Sequence, residues 1–202
     1  MRRVGDSIQC VDFPCLDIRR ESYRAPNIEV DPARISILLI SEAAPENPAD
    51  GYYAGPEALF ARTTLLAFQD AGADVRSVQD ILDLGVYLTT AVKCGKTAPG
   101  LATATVEACS HLLERELALF PNVKVYLLMG DVAIKAVNSI AKRNGQPRVI
   151  PAGSTYKIRG GEFTFRGGRA LPSYVQAGPA FFVEKSKRRM ITEDIRKALF
   201  LR

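Results

Sequence analysis

The chain has 202 residues, 47% of them hydrophobic and 24% charged, with a net charge of +5. That balance is close to the globular average and excludes a disordered tail, a coiled coil or a collagen, and the length suits one domain, 1–202. No apolar run approaches the roughly 18 residues of a membrane-spanning helix. No apolar stretch follows the arginines of Met-Arg-Arg-Val-Gly-Asp, so no secretory signal and a cytoplasmic location are expected.

Residues 1–34 form a polar leader, punctuated by Pro14, Pro26 and Pro32, in which any helix is short. Ile35 to Ser41 is a continuous apolar, β-branched run, the signature of a strand buried on both faces. An acidic loop follows, with Glu42, Glu46 and Asp50 and the pair Tyr52-Tyr53. Pro56 to Ala71 reads as a helix ended by Gly72, and Ser77 caps a short one over Val78 to Leu84, with Asp80 completing a capping box.

Val86 to Val92 is the second strand, and the loop Lys93 to Gly100 leads to the longest helix, Ala102 to Phe120. Val123 to Met129 is the third strand, followed by a helix from Asp131 to about Arg143. Short strands are expected at Thr155–Ile158 and Phe163–Phe165, joined through Gly160-Gly161, and again at Arg169–Leu171. A last helix runs from Glu184 or Thr192 to Leu201.

Strands alternating with helices imply right-handed crossovers and a parallel sheet between helical layers. The fold class is therefore α/β, a three-layer α/β/α sandwich on a mostly parallel four-stranded sheet. Ligands of such sheets bind beyond the carboxyl ends of the strands. A site is expected from the loops 42–55, 93–100 and 172–179.

The charge is uneven. Residues 151–202 carry 11 basic and 4 acidic side chains, whereas residues 1–34 carry 6 of each. A basic C-terminal quarter attracts phosphates, although a solvated helix face has the same composition.

Four cysteines, Cys10, Cys15, Cys94 and Cys109, are either metal ligands or unrelated buried thiols. Their spacing is neither that of a zinc ribbon nor that of a ferredoxin. Cys10 and Cys15 lie in a leader without an apolar run of its own, the kind of segment a metal tie would hold down.

The order of elements resembles the uracil-DNA glycosylase superfamily, in particular its iron–sulfur (family 4-like) branch. Cys10-x4-Cys15 resembles that branch's leader cysteines, and Ile37 to Pro45 resembles its first motif, a strand running into Gly-Glu-(Gly/Ala)-Pro-Gly. Val86 to Cys94 resembles Val-Tyr-Ile-Thr-Asn-Val-Val-Lys-Cys, while Cys109 with Leu112-Leu113 and Val123 to Ala133 resembles the fourth ligand, its helix and the next turn.

The resemblance implies that Cys10, Cys15, Cys94 and Cys109 hold a [4Fe–4S] cluster. It implies single-stranded or damaged duplex DNA as partner, bound by a monomer. It places Glu42, with Glu46 and Asp50, as the polar groups that orient a water or face a cationic sugar. It builds a base pocket from Ala43, Tyr53 (or Tyr52), Thr90 and Leu171, and assigns DNA contacts to Lys93, Arg169, Ser173, Tyr174, Lys187, Arg188 and Arg189.

Two positions depart from the family pattern. Thr90 stands where an Asn reads the base, and Leu171 where a His stabilises the departing base. A hydroxyl cannot offer the two-pronged pattern of an amide. His111, the single histidine, lies on the Cys109 helix and reads as structural. The expectation is a divergent DNA glycosylase acting on a damaged, deaminated base, with weak or no uracil activity. The alternatives are an inactive nucleic-acid-binding protein and a hydrolase of free nucleosides or nucleotides.

Overall fold

A computed structural model describes residues 2–202. Its central sheet has strands β1 (Ile37–Ala43), β2 (Val86–Val92), β3 (Val125–Met129), β4 (Phe163–Phe165) and β5 (Gly168–Ser173), in the spatial order β2-β1-β3-β5-β4. β2, β1, β3 and β5 are parallel, in registers such as Ile37 opposite Val86 and Val125. β4 adds an antiparallel edge. The sheet is thus five-stranded rather than four-stranded.

The helices are α1 (Leu59–Asp70), α2 (Val78–Asp83), α3 (Thr103–Leu117), α4 (Asp131–Arg143), α5 (Thr155–Ile158), α6 (Ala180–Val183) and α7 (Lys185–Leu201). Alternation along β1 assigns the layers, because successive strand side chains point to opposite faces. Leu38 and Ile40 pack with Leu113 and Val137 of α3 and α4. Ile37 and Leu39 pack with Phe68 of α1 and Ile191 and Ile195 of α7. Among the described residues no helix is long and apolar enough to cross a membrane.

The hairpin before β5 differs from the sequence reading. Thr155–Ile158 is one helical turn, not a strand, closed by Arg159 N–H donating to the Thr155 carbonyl at 2.9 Å. The hairpin instead joins β4 to β5 through Arg166 (φ 49°) and Gly167 (φ 80°). Two successive positive φ values define the tight turn whose twist matches paired strands. The glycine pair Gly167-Gly168 marks the break between these strands in the sequence, and Arg166 takes the first of the turn's two positive-φ positions.

The leader also departs from expectation. It contributes Val4, Ile8 and Val30, each at most 5% exposed, to the α3 side of the core. Burial of such side chains stabilises by about 1.5–3 kcal/mol each, so the leader is docked independently of its cysteines. Arg2–Arg3 pairs with Glu29–Val30, and Ile18–Arg19 pairs with Gly95–Lys96, which lays the leader against the loop that leaves β2.

Candidate functional site

Two adjoining cavities open beyond the carboxyl ends of β1 and β2. The larger, about 850 Å³, is lined by the loop after β1, the start of α4 and the loop after β5. The smaller, about 220 Å³, is lined by Tyr52, Tyr53, Thr89 and Thr90 together with leader residues Arg24 to Asn27. Ala44, Pro45 and Phe60 border both.

Glu42, Glu46 and Asp50 all line the larger cavity. Glu42 is half-buried and accepts a long hydrogen bond, 3.4 Å, from the Val132 amide in the first turn of α4. The partial positive charge of a helix N-terminus favours an anion there. Gly130 makes the approach feasible, because a Cβ on it would lie 2.6 Å from the Glu42 carboxylate and 2.5 Å from Val175. Its φ of +103° equally demands glycine. Asp50 accepts from the Leu59 amide at 3.4 Å and so caps α1, while Glu46 is exposed and pairs with Arg19 at 2.5 Å. Glu42 therefore keeps most of its acceptor capacity for the cavity.

The smaller cavity is aromatic and rigid. The Tyr53 hydroxyl donates to the Leu88 carbonyl at 2.9 Å and accepts from the Leu88 amide at 3.0 Å. The Tyr52 hydroxyl lies 2.7 Å from the Ser41 hydroxyl and accepts from the Gln176 amide at 2.8 Å. Burial pushes Tyr52 up to about 12 and Tyr53 well above the usual phenol range. Both phenols stay neutral, so their contribution is shape and ring surface. Phe60, at the start of α1, reads in the sequence as part of that helix's apolar stripe; only the tertiary placement turns it toward the cavities.

The expected base pocket is not one constellation. Tyr53 and Thr90 line the smaller cavity and Ala43 the larger. Leu171 lines none of these cavities; it is 1% exposed and packs between β3 and α7. The side-chain parity of β5 turns it into the core.

Several expected DNA contacts are likewise elsewhere. Lys93 is fully buried, and its ammonium donates to Glu116, to Thr89 Oγ1 at 2.7 Å and to the Thr90 carbonyl at 2.6 Å. Glu116 also accepts from the Tyr87 hydroxyl at 2.6 Å, so the network leaves Lys93 no reach to solvent. Ser173 is buried and donates to Asp194 at 2.6 Å. Arg169 lies at the amino end of β5, on the sheet edge opposite the cavities, beside Glu162 at 3.3 Å.

The remaining contacts flank the larger cavity or lie near it. Tyr174 and Lys187 line it, with the ammonium 5.6 Å from the ring centre and 2.7 Å from Glu184. Arg188 is held by Asp70 at 2.6 and 3.0 Å over the Phe181 ring. Arg189 is exposed, 3.8 Å from Glu193. His111 is exposed on α3.

On the far side of Lys93, all four cysteines line one cavity of about 250 Å³ with Ile18, Val92 and Leu112, and Asp12 also borders it. None of the four is in a disulfide. Burial, reinforced by the neighbouring cysteines, pushes Cys94 up to about 12. Burial pushes Cys109 up to about 11 even though its sulfur accepts from the Lys93 amide at 3.3 Å. Among the described residues no three His, Cys, Asp or Glu side chains converge as they would around a single metal ion. The thiols stand instead around an open space.

Residues 29–193 match the family model described as the uracil DNA glycosylase superfamily. A stretch of 82 residues is 32% identical to the type-5 uracil-DNA glycosylase of Thermus thermophilus. That match covers 41% of this chain and 37% of the relative, so little more than a third of the relative's length is represented.

Proposed function

The chain belongs to the uracil DNA glycosylase superfamily, and from that premise we propose a cytoplasmic, monomeric DNA glycosylase that removes a deaminated base from single-stranded or damaged duplex DNA, with little or no activity on uracil. One observation carries the reading. A rigid aromatic cavity and a carboxylate-bearing one meet along Ala44-Pro45-Phe60 at the carboxyl edge of the sheet.

In this reading the flipped base enters the smaller cavity, against the Tyr53 and Phe60 rings. Flipping costs a few kcal/mol, and contacts such as that of Lys187 to phosphate offset part of it. The sugar then lies over Ala44-Pro45, with C1′ facing the larger cavity. As the C1′–N bond breaks, its electron pair leaves with the base and positive charge grows on the sugar. The Glu42 carboxylate faces that charge and orients the water whose oxygen bonds to C1′. The water's proton passes to solvent, and the departing base takes one up.

The four thiols fit a [4Fe–4S] cluster better than a hard cation, since soft thiolates around an open space are the donor set of such clusters. Cys10, Cys15, Cys94 and Cys109 would hold it, and its iron–sulfur bonds would tie the leader to α3 and to the residues just after β2.

The test uses oligonucleotides that carry uracil, hypoxanthine, xanthine or an abasic site. Release of hypoxanthine or xanthine in preference to uracil is expected. Glu42→Gln should lose ~10²–10³ in rate, the usual cost of one charge-stabilising group. Binding without release of any base would favour the inactive nucleic-acid-binding reading, which the absence of a base-reading amide at Thr90 supports. Turnover of free nucleosides alone would replace both.

A further inference from the structure

The smaller cavity is closed on one side by the leader, a segment outside the site motifs. Residues 24–27 line it together with Thr90. They are pinned at both ends: the Arg24 amide donates to the Lys93 carbonyl at 2.7 Å, and the Ile28 carbonyl accepts from Val4 at 3.2 Å. The wall is therefore held in place by backbone contacts.

Most polar side chains of this cavity are already committed. Tyr52 is bonded to Ser41 and Gln176, and Tyr53 to Leu88. Thr89 Oγ1 donates to Glu116 at 2.8 Å and accepts from Lys93. Arg24 donates to the Tyr23 carbonyl at 2.7 Å and carries donors only. Thr90 and Asn27 are different: among the described residues neither the Thr90 hydroxyl nor the Asn27 amide makes a hydrogen bond of its own, and the Asn27 side chain is exposed.

An amide presents an acceptor and donors side by side. This is the pattern that Thr90 cannot offer. It complements the adjacent N–H and C=O of a lactam ring, the edge shared by the deamination products uracil, hypoxanthine and xanthine. The cavity, about 220 Å³, has room for one ring system.

We infer that Asn27 is a specificity-determining residue: the leader supplies the base-reading amide that β2 lacks. The inference rests on the glycosylase reading and assigns no bond-breaking role to Asn27.

The experiment measures binding, apart from catalysis. Single-stranded oligonucleotides carry one cleavage-resistant 2′-fluoroarabino nucleotide with uracil or hypoxanthine, or a tetrahydrofuran abasic site. Fluorescence anisotropy is read for the parent, Asn27→Ala and Asn27→Asp. The parent should prefer a lactam base over the abasic site. Asn27→Ala should lose roughly five- to 150-fold of that preference, the range a two-pronged base contact carries, with abasic-site affinity unchanged. Asn27→Asp, with no donor, should lose as much. Retention of the parent's preference by both variants would overturn the role of Asn27 and leave the glycosylase reading standing. A parent that binds all the oligonucleotides equally, or none, would overturn both. Asn27 is exposed, so both variants should melt with the parent.

Discussion

Lys93 and Glu116 form an ion pair with no solvent contact, between the aromatic cavity and the cysteine cavity. Strand β2 ends on it: the ammonium takes the Thr90 carbonyl on one side, and the Lys93 amide donates to Cys109 on the other. The pair thus fixes the spacing between Thr90 and Cys94, which belong to different cavities.

Breaking this pair should be costly. Glu116→Gln keeps the shape but leaves a buried ammonium uncompensated, which typically destabilises by about 3–5 kcal/mol. Denaturant unfolding should show that loss, with the Cys94 and Thr90 sides both disturbed. A loss of less than about 1 kcal/mol, well below that range, would mean that water or relaxation compensates the charge.

Restoring the family pattern should work at one position and fail at the other. Thr90→Asn puts an amide into the smaller cavity and should raise affinity for uracil-bearing DNA. Leu171→His forces an imidazole into the apolar layer between β3 and α7. An unpartnered buried polar group costs about 1–3 kcal/mol on mutational scales, and the lost leucine packing adds to it. A lowered melting temperature without gain of uracil release is the expected result; a stable variant that excises uracil would reverse it.

Docking of the leader should depend on pH through Asp17. Burial raises its carboxyl, but hydrogen bonds from the Ala102 amide, at 2.6 Å, and from the Thr105 hydroxyl outweigh this and hold it below its usual 3.8. A depressed carboxyl stabilises above the unfolded value and loses that contribution as pH falls through the folded one. Hydrogen-exchange protection factors at residues 15–20, corrected for the intrinsic pH dependence of exchange, should therefore fall as pH drops below about 4. Asp17→Asn should flatten the dependence, and an unchanged pH profile in that variant would exclude Asp17 as its source.

The cysteines should bind iron as one set. Protein purified without oxygen should be brown, and each of Cys10→Ser, Cys15→Ser, Cys94→Ser and Cys109→Ser should lower its iron content. Loss of the cluster should expose residues 9–16 to protease, a stretch whose Val11 and Leu16 are already 84% and 94% exposed. Val4, Ile8 and Val30 should stay protected by the core. Colourless parent protein with four titratable thiols would remove the cluster from the account.

Binding to single-stranded DNA should weaken with salt, with Lys187 contributing more than Arg188. Each phosphate contact adds about −0.7 to the log–log slope. Lys187 lines the larger cavity, whereas Arg188 is engaged with Asp70 between α1 and α7. Lys187→Ala should reduce the slope, and Arg188→Ala should mainly lower the melting temperature. Equal effects on the slope would place both at the phosphates.

The sequence alone determined the layered α/β architecture, because Ile37 to Ile40, Val86 to Val92 and Val125 to Met129 are buried at every position, as two covered sheet faces require. It also determined where the cavities lie, since parallel strands share one carboxyl edge. The fate of individual polar side chains was left to the tertiary structure. Lys93 and Ser173 read as surface contacts, yet each is buried against a carboxylate more than twenty positions away, Glu116 and Asp194. Leu171 follows strand parity into the core, and Asn27 reaches the smaller cavity only because the leader folds back along the end of β2. Apolar periodicity is local and survives in one dimension. Polar pairing and cavity walls join distant segments, so they are decided when the chain closes on itself.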